Sequence, residues 1–178
     1  MKQAMASGLL VLGVLGQILW AGSALAVPCQ NNFPATNPDS VYTDHGDGTV
    51  TDTRTGLMWK QCTEGLSGAT CEAGSAQLFN WDDALARAEA STFANYTDWR
   101  LPNVKELASL VEECRREPAI NTNLFPNIYG TLWSGSPAVD ESLAWTVNFD
   151  PSGTVFPTPR LDSLAVPQFA VILVRGGR

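Results

Sequence analysis

Few side chains in this chain are placed to do chemistry. There is one histidine, His45, and there are four cysteines, Cys29, Cys62, Cys71 and Cys114. A hydrolytic triad needs a base held beside a nucleophile, and the lone histidine lies in a turn-like stretch, Asp44-His45-Gly46-Asp47-Gly48. No GxSxG elbow, HExxH helix, phosphate-cradling glycine loop or dinucleotide fingerprint occurs. The acidic doublets Asp82-Asp83 and Glu112-Glu113 are neighbours that diverge by about 100° on a helix and so do not converge on a substrate. The expectation is a protein that is not an enzyme and takes no cofactor.

Two weaker constellations are candidates for binding. Asp44, Asp47 and Asp52 offer the oxygen ligands that calcium prefers, but they are too few for an EF-hand loop and no closing glutamate follows. Turn geometry is the expected role of those residues, and no metal is assigned. Exposed indoles can stack on sugar rings. Trp81 and Trp145 fall on apolar faces and are expected in the core, whereas Trp133 precedes Ser134-Gly135-Ser136 in a loop and is expected to be exposed. Asn148 and Arg160 flank a neighbouring turn and complete this candidate ligand site.

The elements that must position these groups begin after an export signal. Lys2 precedes the apolar stretch Leu9-Leu10-Val11-Leu12-Gly13-Val14-Leu15, and Ala24-Leu25-Ala26 supplies a small-x-small cleavage site, so residues 1–26 are expected to be removed. Cleavage leaves 152 of the 178 residues, with 10 basic side chains against 18 acidic ones and a net charge of −8. That charge argues against nucleic-acid and anionic-membrane partners, and no later segment is apolar enough to span a bilayer. An even cysteine count behind an export signal implies two disulfides with three possible connectivities. The polar loop between Cys62 and Cys71 favours a bridge that closes it, which leaves Cys29 for Cys114. An extracytoplasmic location, periplasmic or secreted, follows.

Residues 27–46 read as an N-terminal arm, rich in Pro and Asn up to Ser40. Thr49-Val50-Thr51-Asp52 and Leu57-Met58-Trp59 read as a hairpin with Gly56 at its turn. Asn80 is a good N-cap for a helix to Ala90, with Trp81, Ala84, Leu85 and Ala88 on one face. Asn103-Val104-Lys105-Glu106 has the form of a capping box for a second helix carrying Val104, Leu107, Ala108 and Val111, with Arg115 and Arg116 at its far end. Residues 117–140 read as a long loop. Leu143, Trp145, Val147 and Phe149 alternate as a half-buried strand, Asp150-Pro151-Ser152-Gly153 fits a turn, and Phe169-Ala170-Val171-Ile172-Leu173-Val174 suits a central strand. The fold class is α+β: a hairpin, two helices and an antiparallel sheet.

The stretch Asp47-Gly48-Thr49-Val50-Thr51-Asp52-Thr53-Arg54-Thr55-Gly56-Leu57-Met58-Trp59-Lys60 resembles the opening motif of the C-terminal domain family of the Legionella collagen-like protein (Lcl). Asp98-Trp99-Arg100-Leu101-Pro102-Asn103-Val104-Lys105-Glu106-Leu107 is its most specific segment. Pro118-Ala119-Ile120-Asn121, Phe125-Pro126, Trp133-Ser134, Ala144-Trp145 and Val174-Arg175 follow in order. The resemblance runs from about Asp47 to Arg175, and residues 47–178 are read as one domain. It implies a bacterial surface or secreted domain used in adhesion, with a glycan or an envelope protein as partner, and its element order resembles C-type-lectin-like folds. The named member recognises glycosaminoglycans; the acidic balance of this chain disfavours sulfated ligands unless Arg100, Lys105, Arg115, Arg116, Arg160 and Arg175 gather locally. Arg100, inside the Trp-Arg-Leu-Pro motif, is expected to form a salt bridge instead.

Overall fold

The computed structural model describes residues 29–30, 33–150, 153–160 and 167–176. The export signal lies outside them, as does the centre of the turn at residues 151–152. Strands β1 (Tyr42–Asp44), β2 (Thr49–Asp52), β3 (Leu57–Lys60) and β9 (Val174–Gly176) form an antiparallel sheet in the order β1-β2-β3-β9. Strands β6 (Thr131–Pro137), β7 (Leu143–Asn148) and β8 (Thr154–Pro159) form a second, and β4 (Leu66–Ser67) pairs with β5 (Ala73–Gly74). The helices are α1 (Trp81–Glu89) and α2 (Val104–Ala108). The architecture is mixed α+β and mainly β.

The hairpin forms where its alternation places it, and Gly56 adopts the positive φ of 70° that its turn requires. The end of the arm is part of this sheet, since β1 is its edge strand. Helix α1 starts at the expected cap: Asn80 accepts from the backbone N–H of Asp83 at 2.8 Å, and Trp81, Ala84 and Ala88 are buried. The capping box at Asn103 is complete, with Glu106 accepting from the Asn103 N–H.

Helix α2 is shorter than its apolar stripe predicts. Leu110 and Val111 still donate back along the chain, but the Glu112 N–H turns to the Ala119 carbonyl at 2.9 Å and Val111 bridges Ile120. Pairing with the returning chain captures the backbone one turn early, so Arg115 and Arg116 lie beyond the helix rather than at its end. The expected loop at 117–140 is also corrected, because its last part is β6, hydrogen-bonded to β7. Trp145 is only half-buried, not in the core; on β7 it is Ala144, Thr146 and Val147 that are fully buried, with Phe149 just beyond its end. A middle strand covered on both sides loses the simple in–out alternation from which Trp145 was placed.

Two apolar clusters lie on either side of the last segment. One gathers Val50, Trp59, Leu107, Leu110, Phe125, Ile128, Val147, Phe149, Ile172 and Val174. The other gathers Trp81, Ala84, Ala88, Trp99, Trp133, Ala144, Val171 and Leu173. Residues 171–174 therefore alternate between the two cores, as an extended chain must. The run 169–174 is central as expected, but it is not one regular strand. Phe169 bridges Phe79, Ala170 bridges Leu132, the Val171 and Leu173 carbonyls accept from Glu64 and Lys60, and Val174 bridges Arg100. One short apolar segment thus ties together four separate parts of the chain.

Both expected disulfides are present, Cys62–Cys71 and Cys29–Cys114. Closing a span of 85 residues removes on the order of 4–5 kcal/mol of unfolded-chain entropy in the loop-closure account. Near that second bridge the buried carboxylate of Glu112 accepts from the N–H and hydroxyl of Thr36, at 2.8 and 2.9 Å, and from the N–H groups of Asn37 and Cys114, at 2.7 and 3.2 Å. Asn37 returns two bonds to the carbonyls of Ser109 and Val111. The arm is clasped to the body by one covalent bond and one buried charge.

Candidate functional site

The β1–β2 turn is built from its own acids. Asp44 Oδ1 accepts from the Gly46 N–H at 2.8 Å, and Asp47 Oδ1 accepts from the N–H and hydroxyl of Thr49 at 3.0 and 2.6 Å. The Thr49 hydroxyl chiefly holds the Asp47 carboxyl below the usual carboxylate range. His45 pairs with the Thr51 hydroxyl at 2.8 Å. The Gln61 N–H donates to the Gly48 carbonyl, fixing this turn against the end of β3.

Facing the turn is the loop closed by Cys62–Cys71. Its conformation is held by β4–β5 and by Asn127, whose amide donates to the carbonyls of Thr70 and Cys71. Gly65 has a φ of +88°, and a Cβ there would stand 2.2 Å from the Ser75 carbonyl oxygen, so only glycine fits. Phe93 and Asn123 supply the remaining walls.

Between these parts lies a cleft of about 400 Å³, lined by Asp44, Asp47, Lys60, Gln61, Ala69, Phe93 and Asn123 among others. Lys60 is almost fully buried. Its Nζ lies 2.5 Å from Glu64 Oε1 and 4.8 Å from the centroid of the Phe93 ring. Glu64, with none of its surface exposed, also takes a 2.6 Å bond from Arg87 Nε. The lysine charge is therefore balanced inside the protein.

The structure brings Asp44 and Asp47 together at this cleft with Cys62, and it separates the other sequence candidates from it. Asp52 is corrected as a metal candidate: it is buried at the other end of the β1–β2 ladder, opposite Tyr42, with its carboxylate held by Arg54. Trp133 is corrected most plainly. It is 0% exposed, its ring packs on Phe169 and its Nε1 donates to the Phe79 carbonyl at 2.7 Å, so no ligand reaches it from solvent. Asn148 caps the chain after β7 by accepting from the Asp150 N–H. Arg160 lies over the Trp81 ring, 4.7 Å from its centroid.

Of the six residues named for a cationic patch, Arg100 and Arg175 are ion-paired. Arg100 forms a two-pronged salt bridge with Glu106, as its motif suggested, and Arg175 pairs with Asp98 while lying 3.8 Å from the Tyr96 ring centroid. Among the described residues, the one group of three potential metal ligands is Cys29, Glu112 and Cys114. Its sulfurs are joined in a disulfide and its carboxylate holds the arm. Sequence reasoning missed Lys60, Gln61, Phe93 and Asn123. No local pattern marks them, because they meet only when segments up to 79 residues apart in sequence (Asp44 to Asn123) fold onto one another.

What the fold defines is a disulfide-stapled, mainly antiparallel α+β domain with a polar cleft beside its β1–β2 turn. Residues 48–175 match the family model of the Lcl C-terminal domain, and the chain belongs to that family. No curated protein and no solved structure matches it.

Proposed function

We propose that the protein is an extracytoplasmic binding module of the bacterial envelope or surface, recognising a polyhydroxylated carbohydrate ligand in adhesion, without catalysing a reaction on it. The observation that carries this reading is the cleft at the β1–β2 turn. Carboxylates and side-chain amides share its lining with one aromatic ring, the combination that satisfies hydroxyl groups while covering the apolar face of a sugar. Family membership, two disulfides and the export signal read from the sequence support the location. No helix among the described residues is long and apolar enough to cross a membrane. The return of β9 beside β3 of the N-terminal sheet accords with a C-type-lectin-like arrangement. The site moves, however, from the segments around Trp133, Asn148 and Arg160 to the cleft.

A glycan array probed with the oxidised protein, beside an Ala69→Trp variant, tests this. Ala69 is exposed on the cleft lining, so an indole there fills the site without disturbing either core. The expected result is a defined class of sugars bound by the parent and lost in the variant. Silence on the array would move the reading to a protein partner.

A further inference from the structure

The cleft's hydrogen-bonding polarity is one-sided. Gln61 Nε2 donates to the Leu124 carbonyl at 3.2 Å, and Asn123 Nδ2 donates to the Asp39 carboxylate at 2.9 Å. Both partners accept only, so these bonds fix which end of each amide is nitrogen. Among the described residues, no donor reaches the oxygens Gln61 Oε1 and Asn123 Oδ1. The same holds for Asp44 Oδ2 and Asp47 Oδ2, since the turn uses only the Oδ1 atoms. The Ser67 hydroxyl is already turned to the Ala73 carbonyl. The one cation in the lining, Lys60, is compensated by Glu64. The lining residues thus offer four acceptor oxygens that no described donor uses, two of them on carboxylates, and the one cation among the lining residues is already paired, so an anionic group would meet like charge without compensation.

We infer that the cleft selects a saccharide bearing a free primary ammonium, an amino sugar that is not N-acetylated, over neutral, carboxylated or sulfated sugars. This rests on the carbohydrate-binding reading and narrows it. The ammonium supplies three donors and a positive charge to the Asp44–Asp47 side, ring hydroxyls donate to the Gln61 and Asn123 oxygens, and the C–H face of the ring covers Phe93. An N-acetyl group replaces the charge and three donors with a single N–H donor, a carbonyl oxygen that faces other acceptors, and a methyl group.

The test is titration calorimetry at pH 6 with the oxidised protein and three probes: a glucosamine tetramer, its fully N-acetylated counterpart and a heparin-derived tetrasaccharide. Asp44→Asn and Asp47→Asn are the variants. Asparagine keeps the Oδ1 acceptor that builds the turn and removes only the charge, so the fold is retained. The expected result is tightest binding of the glucosamine tetramer, weakened about tenfold or more by either variant, with binding of the N-acetylated tetramer changed less than about twofold. Equal binding of both neutral and ammonium forms, abolished by Ala69→Trp, overturns the ammonium selection and leaves the carbohydrate cleft standing. Preference for the heparin fragment overturns the selection as well. Heat from calcium alone that disappears in Asp47→Asn makes the cleft a metal site and overturns the inference. No binding of any probe overturns both readings.

Discussion

Replacing Glu112 with glutamine changes one atom and removes one charge, at a point where the arm is fastened to the body. The carboxylate accepts four hydrogen bonds, from Thr36 N–H, Thr36 Oγ, Asn37 N–H and Cys114 N–H. Glutamine has one acceptor oxygen. If that oxygen takes the place of Oε1, the amide nitrogen confronts the buried Asn37 N–H, donor against donor; the reverse orientation strands more donors. A buried donor left unpaired costs about 1–3 kcal/mol, and each charge-assisted bond made neutral loses on the order of 0.5–1 kcal/mol. With one donor orphaned and three bonds weakened, Glu112→Gln is expected to cost about 3–5 kcal/mol.

Acid supplies the second half of the test. Burial is the largest single influence on Glu112 and raises its pKa, but the bonds from Thr36, Asn37 and Cys114 together outweigh it, so the folded-state value lies below the ordinary 4.5. A depressed carboxylate pKa stabilises the fold above the unfolded value and loses that contribution as pH falls through the folded one. The gap between parent and variant is therefore full at pH 7 and shrinks below about pH 4.5. Urea unfolding with both disulfides oxidised, followed from pH 7 to pH 3, measures it. A gap under about 1 kcal/mol at pH 7, or one that stays constant into acid, would refute the clasp.

Other substitutions have equally definite expectations. Glu64→Gln leaves the ammonium of Lys60 buried without its counter-ion and is expected to cost about 3 kcal/mol in chemical denaturation, a loss that Lys60→Met in the same background partly restores. Gly65→Ala places a Cβ 2.2 Å from the Ser75 oxygen at a positive φ, and should lower stability by more than about 3 kcal/mol; an unchanged melting temperature would show that the disulfide loop does not pack as described. Trp133→Ala removes a fully buried indole and should cost about 3–5 kcal/mol, while a refolded sample still binds ligand at the cleft. Loss of ligand binding by a folded Trp133 variant would return that residue to the site.

The hairpin, the two helix starts and the Cys62–Cys71 bridge were legible because each is written in neighbouring residues, and Cys29–Cys114 followed as the remaining pair. Asn80 and Asn103 announce their own caps, Gly56 its own turn, and the Cys62–Cys71 bridge closes a span of nine residues. The end of α2 was not legible, since it depends on Glu112 meeting Ala119. Nor was the fate of the tryptophans. Trp133 and Trp145 both lie on strands of the second sheet, and which of them is buried depends on Phe79 and Phe169, brought in from elsewhere.

Sequence by itself determined the class: an acidic, disulfide-stapled α+β domain of the Lcl C-terminal family, with no local motif for catalysis. Periodicity, caps and cysteine count act over a few residues or on composition, and they survive without knowledge of the fold. Only the tertiary structure assembled the cleft. The cleft joins a turn at Asp44–Gly48, a loop at Cys62–Ala69, the Phe93 ring and Asn123, and the polarity of its amides is fixed by Leu124 and Asp39. Which end of each amide is left over is set by which hydrogen is already spent elsewhere, and that follows from contacts between distant parts of the chain.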